Sequence, residues 1–81
     1  IGRTDATLVD IKVIAKLAIE HLASAIVIAH NHPSGKLQPS KQDDDLTKLV
    51  KNALLLFEIN LIEHLILSET KYYSYADEER I

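Results

Sequence analysis

Residues 24–45 read Ser24-Ala25-Ile26-Val27-Ile28-Ala29, then His30-Asn31-His32-Pro33-Ser34-Gly35, then Lys36-Leu37-Gln38-Pro39-Ser40-Lys41-Gln42-Asp43-Asp44-Asp45. The first six residues are short, apolar and rich in β-branched types, which reads as a strand buried on both faces. Pro33 and Gly35 end regular structure, so a loop is expected as far as Pro39. A helix should begin at Ser40. Three acids (Asp43, Asp44, Asp45) crowd its first turns and Lys48 and Lys51 follow, the charge order that the helix dipole favours. Leu46, Leu49, Val50, Ala53, Leu54 and Phe57 make its expected buried stripe.

On the upstream side, Gly2, Thr4 and Asp5 place a loop or strand end over residues 1–7. Ile11, Ile14, Ala15, Ala18 and Leu22 then recur at spacings of three and four, predicting a helix from about Leu8 to Leu22 with Asp10 as cap or first-turn acid. Downstream, Asn60–Leu67 reads as a strand, Ser68-Glu69-Thr70-Lys71 as a turn and Tyr72–Tyr75 as a partner strand, together a hairpin. The charged tail, Asp77–Ile81, is long enough for one helical turn. Helix, strand, helix, strand, strand is the order of an α/β fold or α+β sandwich, a mixed β-sheet flanked by helices in one domain over residues 1–81.

Composition narrows the function classes. With 81 residues and a 47% hydrophobic fraction, one domain with a modest core is expected. There are no cysteines, which excludes disulfides and thiolate metal sites and leaves nitrogen and oxygen as the metal donors. The formal net charge is −3 and no long basic run occurs, so the charge does not support direct DNA binding. No signal peptide and no membrane-spanning apolar run are visible; a cytoplasmic protein with no membrane partner is expected. The chain opens on Ile1 and not on methionine, which is read as an N-terminally incomplete domain.

The chemistry concentrates at His30, His32 and Asp43. Alternate side chains of an extended backbone point the same way, so both imidazoles can aim at one point past the strand end. The first turn of the next helix can present Asp43 to the same point. Two imidazoles and a carboxylate suit a catalytic zinc, whose fourth position is left to water. Plainer readings stand beside this one. A histidine at a strand end can be polar punctuation, and Ser40 with Asp43 forms an ordinary N-terminal capping pair. Ser40 could serve both as cap and in a site. Glu20 lies mid-helix on the face of Lys12 and Lys16 and reads as a solvated partner of Lys16. His64, beside Glu63 in an apolar strand, reads as a satisfied core or edge histidine. His21 fits a helix end, and Tyr72, Tyr73 and Tyr75 read as packing residues.

The spacing His30-x-His32-Pro33, six residues, Ser40-x-x-Asp43 resembles the metal motif of the JAMM/MPN metalloprotease superfamily. The fuller string His30-Asn31-His32-Pro33-Ser34-Gly35, with Pro39-Ser40 and Asp43, looks like the bacterial RadC branch. Gly2-Arg3-Thr4, Ile62-Glu63-His64-Leu65-Ile66 and Tyr72-Tyr73-Ser74-Tyr75 extend the likeness over nearly the whole chain. The resemblance implies a JAMM/MPN-like (cytidine-deaminase-like) core and a single zinc ion on His30, His32 and Asp43. It also implies a catalytic Ser40 whose hydroxyl steadies the reaction oxyanion. The family's general base is a glutamate on a strand well upstream of the first helix, which is expected before Ile1; Glu20 does not take its place.

The leading expectation is therefore a zinc-dependent hydrolase of an amide, in a peptide, protein or isopeptide substrate. The alternative is a non-enzymatic module, associated with DNA repair by the name of the branch or docking a partner protein. An uncovered sheet edge also leaves room for a homo-oligomer.

Overall fold

The computed structural model describes residues 10–32 and 34–81, and among the described residues it has five elements: helix α1 (Ile11–Glu20), strand β1 (Ala25–Asn31), helix α2 (Lys41–Leu55), strand β2 (Asn60–Leu67) and strand β3 (Tyr72–Ser74). The sheet order is β1-β2-β3, with β1 and β2 parallel and β2 and β3 antiparallel. A parallel pair needs a crossover, which α2 supplies. The expected α/β architecture with a mixed sheet is what forms. The expected loop over residues 1–7, with its Gly2-Arg3-Thr4 segment, and also Leu8 and Pro33 lie outside the described residues.

Asp10 is the N-cap of α1 and accepts a hydrogen bond from the Lys12 N–H at 2.9 Å. The helix stops at Glu20, two residues short of the expected end. Leu22 takes a left-handed backbone, φ 52°, and the N–H groups of Leu22 and Ala23 return to the carbonyls of Ile19 and Ala18. That is a Schellman ending, usually built on glycine. Leu22 consequently leaves the apolar stripe and is 89% exposed, while Ala18 is buried as expected.

The α2 boundary comes from a full capping box: Ser40 Oγ accepts from the Asp43 N–H, and an Asp43 carboxylate oxygen accepts from the Ser40 N–H. The buried residues are Asp43, Thr47, Val50 and Leu54, spaced four, three and four. Leu49 and Phe57, expected inside, are exposed. Leu49 sits off that line, and Phe57 lies past the last helical turn, where Glu58 at φ 60° turns the chain into β2.

The core joins Ala18 of α1, Val50 and Leu54 of α2, and Ile59 and Leu61 leading into and along β2. Ile26 and Ile28 of β1 pack against it from the sheet. The expectation that β1 is buried on both faces is corrected. Its burial alternates, and Val27 on the other face is 54% exposed among the described residues. β1 is also longer than expected, because pairing continues as His30↔Ile66 and Asn31↔Leu67.

Strand β2 carries one extra residue. Ile26 pairs with Leu61, but Val27 pairs with Glu63, so Ile62 is skipped in the ladder. Such a bulge reverses the alternation downstream of it. Leu61, His64 and Ile66 therefore share the buried face, where strict alternation from Leu61 would have put Glu63 inside. The hairpin forms where expected, and Ser68 closes its turn by bonding to the backbone of Lys71. The tail makes hydrogen-bonded turns and not a helix. It is tied down by Arg80, which pairs with Asp44 at 2.8 Å and donates to the Tyr73 hydroxyl at 2.9 Å. Tyr72 is exposed and does not pack as expected; Tyr75 is buried. Among the described residues no helix is long and apolar enough to cross a membrane.

Candidate metal centre

The site is assembled at the C-terminal end of the parallel pair, where the first turn of α2 crosses the mouth of the sheet. Ladder pairing to Ile66 holds the backbone of His30. One step further on, the His32 N–H still donates to the Leu67 carbonyl at 3.1 Å, so both histidines are carried by the sheet and not by the loop. The loop then turns back through Gly35, at φ 84°, whose N–H bonds to the His32 carbonyl. A Cβ on Gly35 would meet nothing within 4 Å, so it is the left-handed φ and not crowding that favours glycine. The capping box presents the Asp43 side chain, 11% exposed, from the other side.

His30, His32 and Asp43 are brought together: one ligand atom from each lies within 4.8 Å of the others. His30 Nε2 is 3.0 Å from one Asp43 oxygen, and His32 Nε2 is 3.2 Å from the other. Donors on a tetrahedral zinc at about 2.1 Å would stand roughly 3.4 Å apart, close to these separations. Both Nδ1 atoms face away and are engaged elsewhere, that of His32 with the Lys36 carbonyl at 2.7 Å and that of His30 with His64 Nε2 at 3.0 Å.

The His32 contacts fix the polarity. The Lys36 carbonyl only accepts, so Nδ1 carries the hydrogen and Nε2 of the neutral ring keeps a lone pair. That lone pair faces an ionised carboxylate oxygen, so a proton or a cation has to lie between the two atoms. The acids and bases are tuned accordingly. Burial lowers the pKa of His30 and outweighs the attraction of Asp43, favouring the neutral ring that a metal needs. Burial works to raise the pKa of Asp43, but hydrogen bonds from Ser40 and the facing imidazoles prevail and keep the carboxylate ionised. Nitrogen and oxygen donors with one negative charge fit zinc.

Ser40 is exposed and lies beside the cluster as the N-cap. Its Oγ accepts from the Asp43 N–H at 3.1 Å, which leaves its own hydroxyl hydrogen to be directed elsewhere. Glu20 is remote in role, an exposed side chain 4.0 Å from Lys16. Beside His32 opens a cleft of about 770 Å³, lined by Asn31, His32, Gly35, Leu67, Ser68 and Lys71 among others.

His64 is the satisfied core histidine the sequence suggests, but its place behind the cluster, and that of Thr47, is not read from the sequence. His64 is 0% exposed, and it bridges His30 to Thr47 Oγ1, which lies 2.6 Å from His64 Nδ1. Its ring stacks on Tyr75 with centroids 4.7 Å apart and planes 5° from parallel. Burial above all pushes the His64 imidazole down to about 4, so the ring is neutral. The one sequence signal for this group is the i, i+4 spacing of Asp43 and Thr47, since the bulge that turns His64 inward carries none. Glu63 braces the same region, accepting from the Ser74 hydroxyl and from the N–H groups of His64 and Ala76.

Curated proteins match nearly the whole chain. It is 43% identical over 77 residues to a UPF0758 protein of Flavobacterium johnsoniae and 46% identical over 78 residues to one of Porphyromonas gingivalis. A UPF0758 protein of Streptococcus sanguinis is 39% identical over 77 residues. Each alignment covers 95% of this chain and 34% of the relative, so the chain spans about a third of the length of the curated relatives it matches. The sequence profile of the RadC-like JAB domain matches residues 1–80, and with a mixed sheet, two helices and a His-His-Asp cluster at the sheet's mouth, the chain belongs to that family.

Proposed function

We propose that His30, His32 and Asp43 hold one zinc ion and that the domain serves an amide hydrolase acting on a peptide, protein or isopeptide bond. The observation that carries this reading is the convergence of His30, His32 and Asp43 ligand atoms within 4.8 Å of one another, with His32 Nδ1 already committed to the Lys36 carbonyl so that Nε2 is the atom turned toward Asp43. Membership of the RadC-like JAB family supports it. Zinc held there would lower the pKa of a water molecule toward about 7 and polarise a carbonyl.

The residues of the chain divide the remaining work. The sheet fixes the two imidazoles and the capping box fixes the carboxylate, so the donors are organised before an ion arrives. Ser40 Oγ accepts from the Asp43 N–H, and in this reading its own hydroxyl hydrogen would donate to a carbonyl oxygen as negative charge builds on it. The cleft beside His32 gives an extended substrate a wall of mixed polar and apolar groups to lie against. The proton transfer such a reaction needs falls to a group other than Glu20, which is exposed and pairs with Lys16.

Metal analysis of the purified protein tests the first half, with zinc expected in the wild type and lost from His32→Ala. A wild type that holds no zinc, or a variant that holds as much, overturns the site. Chelator-sensitive cleavage within a panel of peptide and isopeptide substrates is expected of the whole protein. Bound zinc without any cleavage across that panel overturns the hydrolase half.

A further inference from the structure

Behind His30 runs a buried line of hydrogen bonds that no ligand role uses. Thr47 Oγ1 is 2.8 Å from the Asp43 carbonyl and 2.6 Å from His64 Nδ1, and His64 Nε2 is 3.0 Å from His30 Nδ1. Thr47 and His64 are both buried. The Thr47 hydroxyl has one hydrogen to give among the Asp43 carbonyl, the His64 imidazole and the neighbouring Tyr75 hydroxyl, and of these the imidazole can answer by donating, since the Tyr75 hydroxyl gives its hydrogen to Asp44.

Two proton orders satisfy the line. In the first, Thr47 donates to His64 Nδ1, His64 Nε2–H donates to His30 Nδ1, and the hydrogen of His30 sits on Nε2, facing Asp43. In the second, Thr47 donates to the Asp43 carbonyl, His64 Nδ1–H donates to Thr47, and His30 Nδ1–H donates to His64 Nε2. Each ring carries one hydrogen in both orders, so nothing titrates between them. Only the second gives His30 Nε2 a lone pair directed at the point shared with His32 and Asp43.

We propose that His64 and Thr47 are positioning residues of the metal centre, which hold His30 in the tautomer whose Nε2 can take an ion. This rests on the metal reading above and deepens it. Stacking on Tyr75 holds the plane of the His64 ring, and the bulge at Ile62 turns that ring inward. The anchor is contributed by the same helix as the carboxylate, one turn further on, so α2 supplies a ligand from Asp43 and orients another ligand from Thr47. Outer hydrogen bonds to a ligand histidine typically govern affinity by about 10–100-fold.

The test compares Thr47→Val and Thr47→Ser with wild type by zinc competition against a fluorescent chelator, with melting temperatures as the folding control. Thr47→Val keeps the shape and removes the acceptor for His64 Nδ1–H; zinc affinity should fall about 10–100-fold. Thr47→Ser restores the hydroxyl and should restore affinity. Nitrogen-15 NMR of histidine-labelled, zinc-loaded wild type supplies a readout that packing alone would not move: His64 should be the Nδ1–H tautomer. Equal affinity of a folded Thr47→Val, or an Nε2–H tautomer of His64 in the loaded protein, overturns the proposal while zinc binding itself stands. A wild type that binds no zinc overturns the metal reading and this inference with it. Should Thr47→Val not fold, the tautomer of the wild type decides.

Discussion

Zinc should raise the melting temperature of the apo protein, and Asp43→Asn should remove most of that rise without uncapping α2. At free zinc about 100 times its dissociation constant, mass action adds about 2.7 kcal/mol to the folded state. In a domain of this size each kcal/mol moves the melting temperature by about 4–8 °C, so the expected rise is roughly 10–20 °C. Asp43 has two jobs, as a donor facing both imidazoles at 3.0 and 3.2 Å and as the acceptor of the Ser40 N–H at 2.7 Å. An asparagine keeps an oxygen for the second job and loses the charge needed for the first. Ser40→Ala does the converse: losing the cap costs about 1 kcal/mol, so both apo and loaded proteins should melt about 4–8 °C lower, with the zinc-induced rise intact. Differential scanning fluorimetry with and without zinc, after chelator treatment, reads all three proteins. An Asp43→Asn protein that keeps the full wild-type rise would refute the assignment of this carboxylate to the ion.

Glu63 ties the hairpin to β2. Burial works to raise its pKa, but the Ser74 hydroxyl and the N–H groups of Ala76 and His64 outweigh it and hold the carboxyl below its ordinary 4.5. A folded-state value below the unfolded one contributes stability above about pH 4.5 that drains away as pH falls through the folded value, so wild type and Glu63→Gln should differ in melting temperature at neutral pH and converge in acid; a gap independent of pH would contradict it. Leu22→Gly should raise stability by about 0.5–1 kcal/mol, because the left-handed strain relieved at an 89% exposed leucine exceeds the chain entropy that glycine adds to the unfolded state; thermal melts that show a loss would count against this. Deleting Ile62 should leave Leu61, His64 and Ile66 facing inward, since Leu61 and Glu63 already pair with the consecutive residues Ile26 and Val27; retained zinc binding is the expected result, and its loss would show that the bulge itself shapes the site.

Periodicity and capping carry most of the architecture. The start of α2, the extent of β2, the hairpin and the convergence of His30, His32 and Asp43 follow from local rules: a proline and a serine before three acids, alternation along an extended backbone, and a four-residue turn. What escapes those rules is tertiary. Leu22 and Phe57 fit their stripes by spacing, but each helix ends in a left-handed residue that carries the chain off the stripe, and neither ending has the glycine that would announce it. The apolar run of β1 reads as buried on both sides because composition cannot tell a central strand from one covered on a single face.

His64 shows why the ligands are easier to read than their support. Asp43 stands eleven positions after His32, and ligands joined by so short a loop leave their mark as a fixed spacing. A residue that orients a ligand has no such constraint. His64 lies thirty-four positions from His30 and reaches it only because β2 runs parallel to β1 and skips Ile62. Its inward turn depends on Ile62 being left out of the ladder, and nothing in the composition of Leu61-Ile62-Glu63-His64 distinguishes a bulged strand from a regular one. Ligands are therefore readable from a short stretch of chain, while the residues that set their tautomers become visible only once the register of the sheet is known.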